Sequence, residues 1–168
     1  KSVMPKRFKQ NPIITTKDIK PSQPGLVVEC VLNPGVFSFE GKTWLLLRVA
    51  ERPAQKEGII SFPVMHDDGS FKILEFRKDD PELDLSDTRM VKYKKKTYLS
   101  TISHLRLVCS NDGIRFYEPD NGLPTKIFGK GDLETFGIED CRVSKINGEY
   151  HLTYTQVSEH GVGVGLMR

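Results

Sequence analysis

Cysteine is scarce in this chain: its 168 residues hold three, Cys30, Cys109 and Cys141, and no two form a CxxC pair. Neither a disulfide framework nor a cysteine-based zinc site is implied. Long apolar runs are missing as well. None approaches the roughly 18 residues of a membrane-spanning helix, so no membrane partner is expected. The N-terminus lacks the succession of charged, apolar and small residues that marks a signal peptide. It begins at Lys1 rather than Met, which leaves an earlier leader, and with it the compartment, open. No patch carries charge of one sign: 25 Lys and Arg stand interspersed among 22 Asp and Glu, net +3, except at Lys94-Lys95-Lys96. A nucleic-acid binder would gather its basic residues into a stripe with aromatics between them, so no nucleic-acid partner is expected. The lysine triplet, lying between two apolar runs, reads as a solvated hairpin turn. No group of His and carboxylates has ligand spacing, and no metal is expected.

Helical periodicity is the next absence, because no window keeps a 3.6-residue repeat for three turns. What is present is a set of short apolar runs rich in β-branched and aromatic residues. Leu26-Val27-Val28, Trp44 to Leu47, Tyr98 to Ile102 and Tyr150 to Tyr154 are separated by Gly, Asn, Asp and Lys. These are strand signals. Ahead of them, residues 1–25 contain Pro5, Pro12, Pro21 and Pro24, which exclude regular helix and predict an extended arm over the first folded unit. Residues 26–168 then form the folded part.

That part repeats. Asn33 to Leu46, Asp87 to Ser100 and Asp140 to Thr153 each open on Asn or Asp, continue into an apolar strand, turn, and return as a second strand. The turns are Glu40-Gly41-Lys42, Lys94-Lys95-Lys96 and Asn147-Gly148; the Asn-Gly pair is the strongest hairpin signal, since both central residues need positive φ. A hairpin recurring roughly every fifty residues, with room for two further strands, predicts four-stranded propeller blades. Ser110 to Phe116 fits an outer hairpin. The expected fold is all-β, about three blades of a propeller whose closure requires further chain or a partner. A closed β-sandwich of three hairpins is the alternative.

Residues that open innermost hairpins of a propeller face a common axial funnel. Asn33, Asp87 and Asp140 are therefore candidate ligands of a polyhydroxylated molecule. Arg89 and Arg142 follow two residues later on the same strand face. For Asp87 and Arg89 a structural ion pair is the favoured reading.

The segment Phe136-Gly137-Ile138-Glu139-Asp140-Cys141-Arg142-Val143, followed by Asn147-Gly148 and the strand Tyr150 to Thr155, resembles glycoside hydrolase family 130, the β-mannoside phosphorylases and hydrolases. Asn33-Pro34-Gly35, the run Leu46 to Glu51, and Ser103 to Arg106 leading into Ser110-Asn111-Asp112-Gly113 extend the likeness from Asn11 to Leu166. The resemblance implies a five-bladed propeller of which this chain is the N-terminal portion. It implies that Asp140 is the proton donor, acting through the 3-hydroxyl of the bound mannose, with inversion at the anomeric carbon. Asn33 matches an asparagine that binds the −1 mannose, and Arg48 an arginine near that sugar or the phosphate. His104 and Arg106 lie in a segment associated with members acting on β-1,2-mannosides, as does Val157 to Val162; His160 itself reads as an exposed loop histidine. Cys141 departs from the family's proline. No cofactor is implied, only inorganic phosphate as co-substrate of a phosphorylase.

The resulting expectation is an inverting enzyme on β-mannoside oligosaccharides, leaning to hydrolysis of β-1,2-mannosides, with phosphorolysis as the alternative and a non-catalytic glycan-binding propeller as the third reading. An arabinan-type glycosidase would place an acid where Asn33 stands. A second copy of the chain stays open as a partner, and the compartment would be bacterial cytoplasm or periplasm.

Overall fold

The computed structural model describes residues 4–66, 68 and 70–168; residues 1–3 of the expected arm lie outside the described residues. Among the described residues the fold is all-β, with two 3₁₀ turns, Thr16–Asp18 and Asp132–Glu134, and twelve strands. Twelve strands follow one another: β1 (Leu26–Phe39), β2 (Lys42–Pro53), β3 (Ile59–Met65), β4 (Phe71–Arg77), β5 (Leu83–Asp84), β6 (Met90–Tyr93), β7 (Lys96–Leu99), β8 (Ile102–Ser110), β9 (Lys126–Ile127), β10 (Ile138–Ile146), β11 (Glu149–Ser158) and β12 (Gly161–Met167). They form a four-stranded sheet β1-β2-β8-β9, a three-stranded sheet β10-β11-β12, a pair β3-β4 and a small sheet β5-β6-β7.

All three expected hairpins form. Their central turn residues, Glu40 and Gly41, Lys94 and Lys95, Asn147 and Gly148, all have positive φ. Such turns match the right-handed twist of the strands they join. Two of the hairpins, β1-β2 and β10-β11, carry the large sheets. The hairpin opened by Asp87 does not: its strands are four residues each and pair with β5 in a separate small sheet. Three equivalent units are therefore not what the chain builds. Strands β3 to β7 form an excursion between β2 and β8, held by an aromatic row in which Phe62 contacts Phe76 and Tyr98, and Phe76 contacts Tyr93.

Strand β2 is buried on both faces, which explains its unbroken Trp44-Leu45-Leu46-Leu47 run. Leu45, Leu47 and Val49 pack with Val108 and with Ile14 and Ile19 of the N-terminal arm. Leu46 faces the other way and packs with Leu105, Ile138, Cys141 and Tyr154, joining the two large sheets. Among its described residues the arm contains no strand; it turns at Lys9-Gln10 and Pro24-Gly25 and winds into one 3₁₀ turn at Thr16–Asp18, where Thr15 and Asp18 cap one another in a proline-free stretch.

Candidate active site

Two strand irregularities create the site. In β1, Leu32 pairs with Arg48 and Gly35 with Leu46, so Asn33 and Pro34 oppose the single residue Leu47. In β10, Glu139 pairs with Thr155 and Arg142 with Thr153, so Asp140 and Cys141 oppose the single residue Tyr154. Both are β-bulges. Asn33 (φ 38°) and Asp140 (φ 49°) occupy the left-handed region, which Asn and Asp tolerate better than other non-glycine residues. At these two hairpins the opening Asn or Asp is thus favoured by the backbone as well as by any chemistry. Pro34 stands where Cys141 stands in the second bulge.

The bulges face each other. Asn33 Nδ2 donates to Asp140 Oδ1 at 3.1 Å. Arg48, from β2, donates through Nη1 to the same oxygen at 3.2 Å, through Nη2 to Glu139 Oε1 at 2.8 Å and through Nε to Ser103 Oγ at 3.1 Å. Among the described residues, Asp140 Oδ2 accepts no hydrogen bond. Arg48 and Glu139 are about one-fifth exposed, and Asp140 is one-third exposed. Burial raises the Glu139 carboxyl above its ordinary value; Arg48 opposes this and the charge of Asp140 adds to it.

Two glycines permit the approach. A Cβ on Gly35 would lie 2.7 Å from Cys141 Sγ and 3.1 Å from Val143 Cγ2, so β1 and β10 meet only because that side chain is absent. Gly137 (φ 99°) forms a parallel bridge with Ser103, and a Cβ there would collide with the Ser103 carbonyl oxygen. Behind them, Glu134 is buried and accepts from Tyr154 Oη (2.7 Å), Gln156 Nε2 (2.8 Å) and the Lys130 N–H (2.8 Å). Burial alone would raise its pKa, but the bonds from Gln156, Tyr154 and Lys130 together leave it lowered. Tyr154 is pushed up to about 12 by burial and then by Glu134.

Of the residues singled out from sequence, Asn33, Arg48 and Asp140 come together. His104 and Arg106 do not, because alternation along β8 places them on the face opposite Ser103. They are buried there in a network of their own: Arg106 Nη1 donates to the Lys20 carbonyl (3.1 Å) and pairs with Glu118 (3.4 Å), while Nε donates to His104 Nε2 (3.2 Å). His104 Nδ1 faces Glu51 at 3.5 Å, and Glu51 accepts from the Ser22 N–H and hydroxyl. Burial, then the charges of Arg106 and Lys126, lower His104 to about 3. The imidazole is neutral, with Nε2 accepting and the proton on Nδ1. The structure brings neither side chain beside Asp140. Asp87 follows the structural ion-pair reading rather than the ligand one: it belongs to the small sheet and bonds within its own turn, to the Arg89 N–H at 2.8 Å and the guanidinium at 3.5 Å. Arg142 is exposed and donates to the Cys141 carbonyl at 2.8 Å. Glu139 and Ser103 were missed as site residues, although both lie within the family-like segments.

Against known proteins, no family model matches the chain. A β-1,2-mannobiose phosphorylase of Listeria innocua is 36% identical over 167 residues, 96% of this chain and 46% of that protein. The chain spans about half the length of this curated relative. The solved structure of the Listeria enzyme with β-1,2-mannobiose superposes with a TM-score of 0.83 over 95% of this chain and 46% of its own. The chain belongs to glycoside hydrolase family 130. More distant likenesses bear on the fold alone. A family 130 structure, from work on glycoside hydrolases that target β-1,2 mannosidic linkages in Candida mannan, gives a TM-score of 0.56 at 17% identity, over 95% of this chain and 36% of its own. A structure from Parabacteroides distasonis gives a TM-score of 0.58 at 19% identity, over 95% of this chain and 37% of its own.

Proposed function

We propose that this chain is the acid-bearing half of an inverting β-mannoside phosphorylase, acting on β-1,2-linked mannosides. Phosphorolysis takes the place of the hydrolysis expected from sequence, because the relative 36% identical over 96% of the chain is a β-1,2-mannobiose phosphorylase. The observation that carries the reading is the convergence of Asn33, Arg48, Glu139 and Asp140 from two bulged hairpins.

In this reading Asp140, held by Oδ1, presents Oδ2 as the proton-carrying oxygen. The bond between the anomeric carbon and the glycosidic oxygen breaks as the Asp140 proton, relayed through the mannose 3-hydroxyl, reaches the leaving oxygen. A phosphate oxygen bonds the anomeric carbon from the opposite face, giving mannose 1-phosphate and a free sugar. Asn33 and the unused N–H groups of Arg48 supply donors for the sugar hydroxyls or the phosphate. The sheets β1-β2-β8-β9 and β10-β11-β12 are read as the first blade and most of the second of a five-bladed propeller. Strands β3 to β7 are inserted within the first, and the paired bulges face the axis.

The test is digestion of β-1,2-mannobiose by the whole protein with and without inorganic phosphate. Phosphate-dependent mannose 1-phosphate is expected. Free mannose alone, formed without phosphate, would overturn phosphorolysis, and an active Asp140→Asn variant would overturn the acid assignment.

A further inference from the structure

Neighbouring residues of a regular strand point to opposite faces of its sheet. Glu139 and Asp140 break this rule, since both bond the same guanidinium. The cause is the bulge: Asp140, at φ 49°, turns the backbone so that its carboxylate arrives on the side already held by Glu139. Arg48 is then held at three points, Nε on Ser103, Nη2 on Glu139 and Nη1 on Asp140. A guanidinium offers carboxylates a two-pronged grip whenever it is free to turn. Here the shortest bond holds one prong on Glu139, so Asp140 receives only the other.

We infer that Glu139 is a positioning residue: by occupying one prong of Arg48 it keeps Arg48 off Asp140 Oδ2, the oxygen that must carry the proton. This inference rests on the reading of Asp140 as the acid. The charged groups around Glu139 are Arg48 from β2 and Asp140 beside it. Neutral Asn33 from β1 bonds Asp140 and neutral Ser103 from β8 accepts from Arg48, Thr155 pairs with Glu139 from β11, and Arg142 is engaged with the Cys141 carbonyl. Burial raises the Glu139 carboxyl, and Arg48 is the cation that opposes this among the described residues.

Glu139→Ala frees the second prong, letting Arg48 close on both Asp140 oxygens. Glu139→Gln keeps an acceptor oxygen for Nη2 without the charge. In the whole protein, Glu139→Ala is expected to lower kcat on the order of 10- to 100-fold, the scale of a small misplacement of a catalytic group, with KM changed far less. Glu139→Gln is expected to restore most of kcat, and a crystal structure of the Ala variant to show Arg48 on both oxygens. Parental kcat in Glu139→Ala, or a rise in KM alone, would overturn the inference. Asp140→Asn, assayed alongside, separates the failures: if it stays active the acid assignment falls, and if it is inactive while Glu139→Ala is parental only the Glu139 inference falls.

Discussion

Asn33 Nδ2 lies 3.1 Å from Asp140 Oδ1 although 107 residues separate them in the chain, and each stands in the left-handed conformation at the matching point of a bulged hairpin. The contact is one between two copies of a single local device. It orients the carboxylate while taking up only one of its oxygens.

Replacing Asn33 separates its two roles. Asn33→Gly keeps the positive φ without strain and removes the amide, whereas Asn33→Ala removes the amide and strains the backbone. Both should lower kcat/KM on the mannoside roughly tenfold or more, the scale of one hydrogen bond to a charged group. Thermal melting should rank Gly above Ala. A Gly variant with parental kcat/KM would mean that the amide has no part in orienting Asp140.

Gly137→Ala should destabilise the fold by about 2–5 kcal/mol, combining a left-handed alanine with overpacking against the Ser103 carbonyl. Denaturant unfolding of the two proteins measures this directly. A loss below about 1 kcal/mol would mean that β8 and the Gly137 segment can separate freely.

Glu134 carries an acid-dependent share of stability. Its folded pKa lies below the ordinary 4.5, so its contribution is fully present above that value and is lost as pH falls through the lowered one. Melting temperature followed from pH 7 downward should fall less steeply for Glu134→Gln than for the parent in the acid range. Parallel curves would contradict the assignment.

Arg106→Met should cost about 1–3 kcal/mol, because the Lys20 carbonyl and His104 Nε2 lose their buried donor, while Glu118, one-third exposed, keeps Lys126 and Thr125 beside it. His104, lowered to about 3, should show no imidazole titration by NMR between pH 5 and 8. Titration within that range would mean that the network opens to water.

The all-β class, the hairpin turns and the candidacy of Asn33 and Asp140 were legible in the sequence, because each depends on local chemistry. Turns with positive φ select Gly, Asn and short polar stretches, strands select β-branched and aromatic runs, and a left-handed bulge selects Asn or Asp. Even Lys94-Lys95, without glycine, forms its turn. The failures are equally physical. Asp87 opens a hairpin with the right local pattern, but sheet membership is decided by what packs against it, and the Phe62 aromatic row draws it into a separate excursion.

Glu139 was hidden because a period of two assigns it to the opposite face from Asp140, and only the bulge overrides that period. The face taken by His104 and Arg106 was hidden because the register of β8 on β2, Val49 opposite His104 and Leu47 opposite Arg106, comes from a long-range pairing. Local sequence thus determined which elements form and where the backbone turns left-handed. Register, bulge pairing and the meeting of the two sheets decided which side chains share a site, since those depend on long-range packing around Leu46, Leu105, Ile138 and Tyr154.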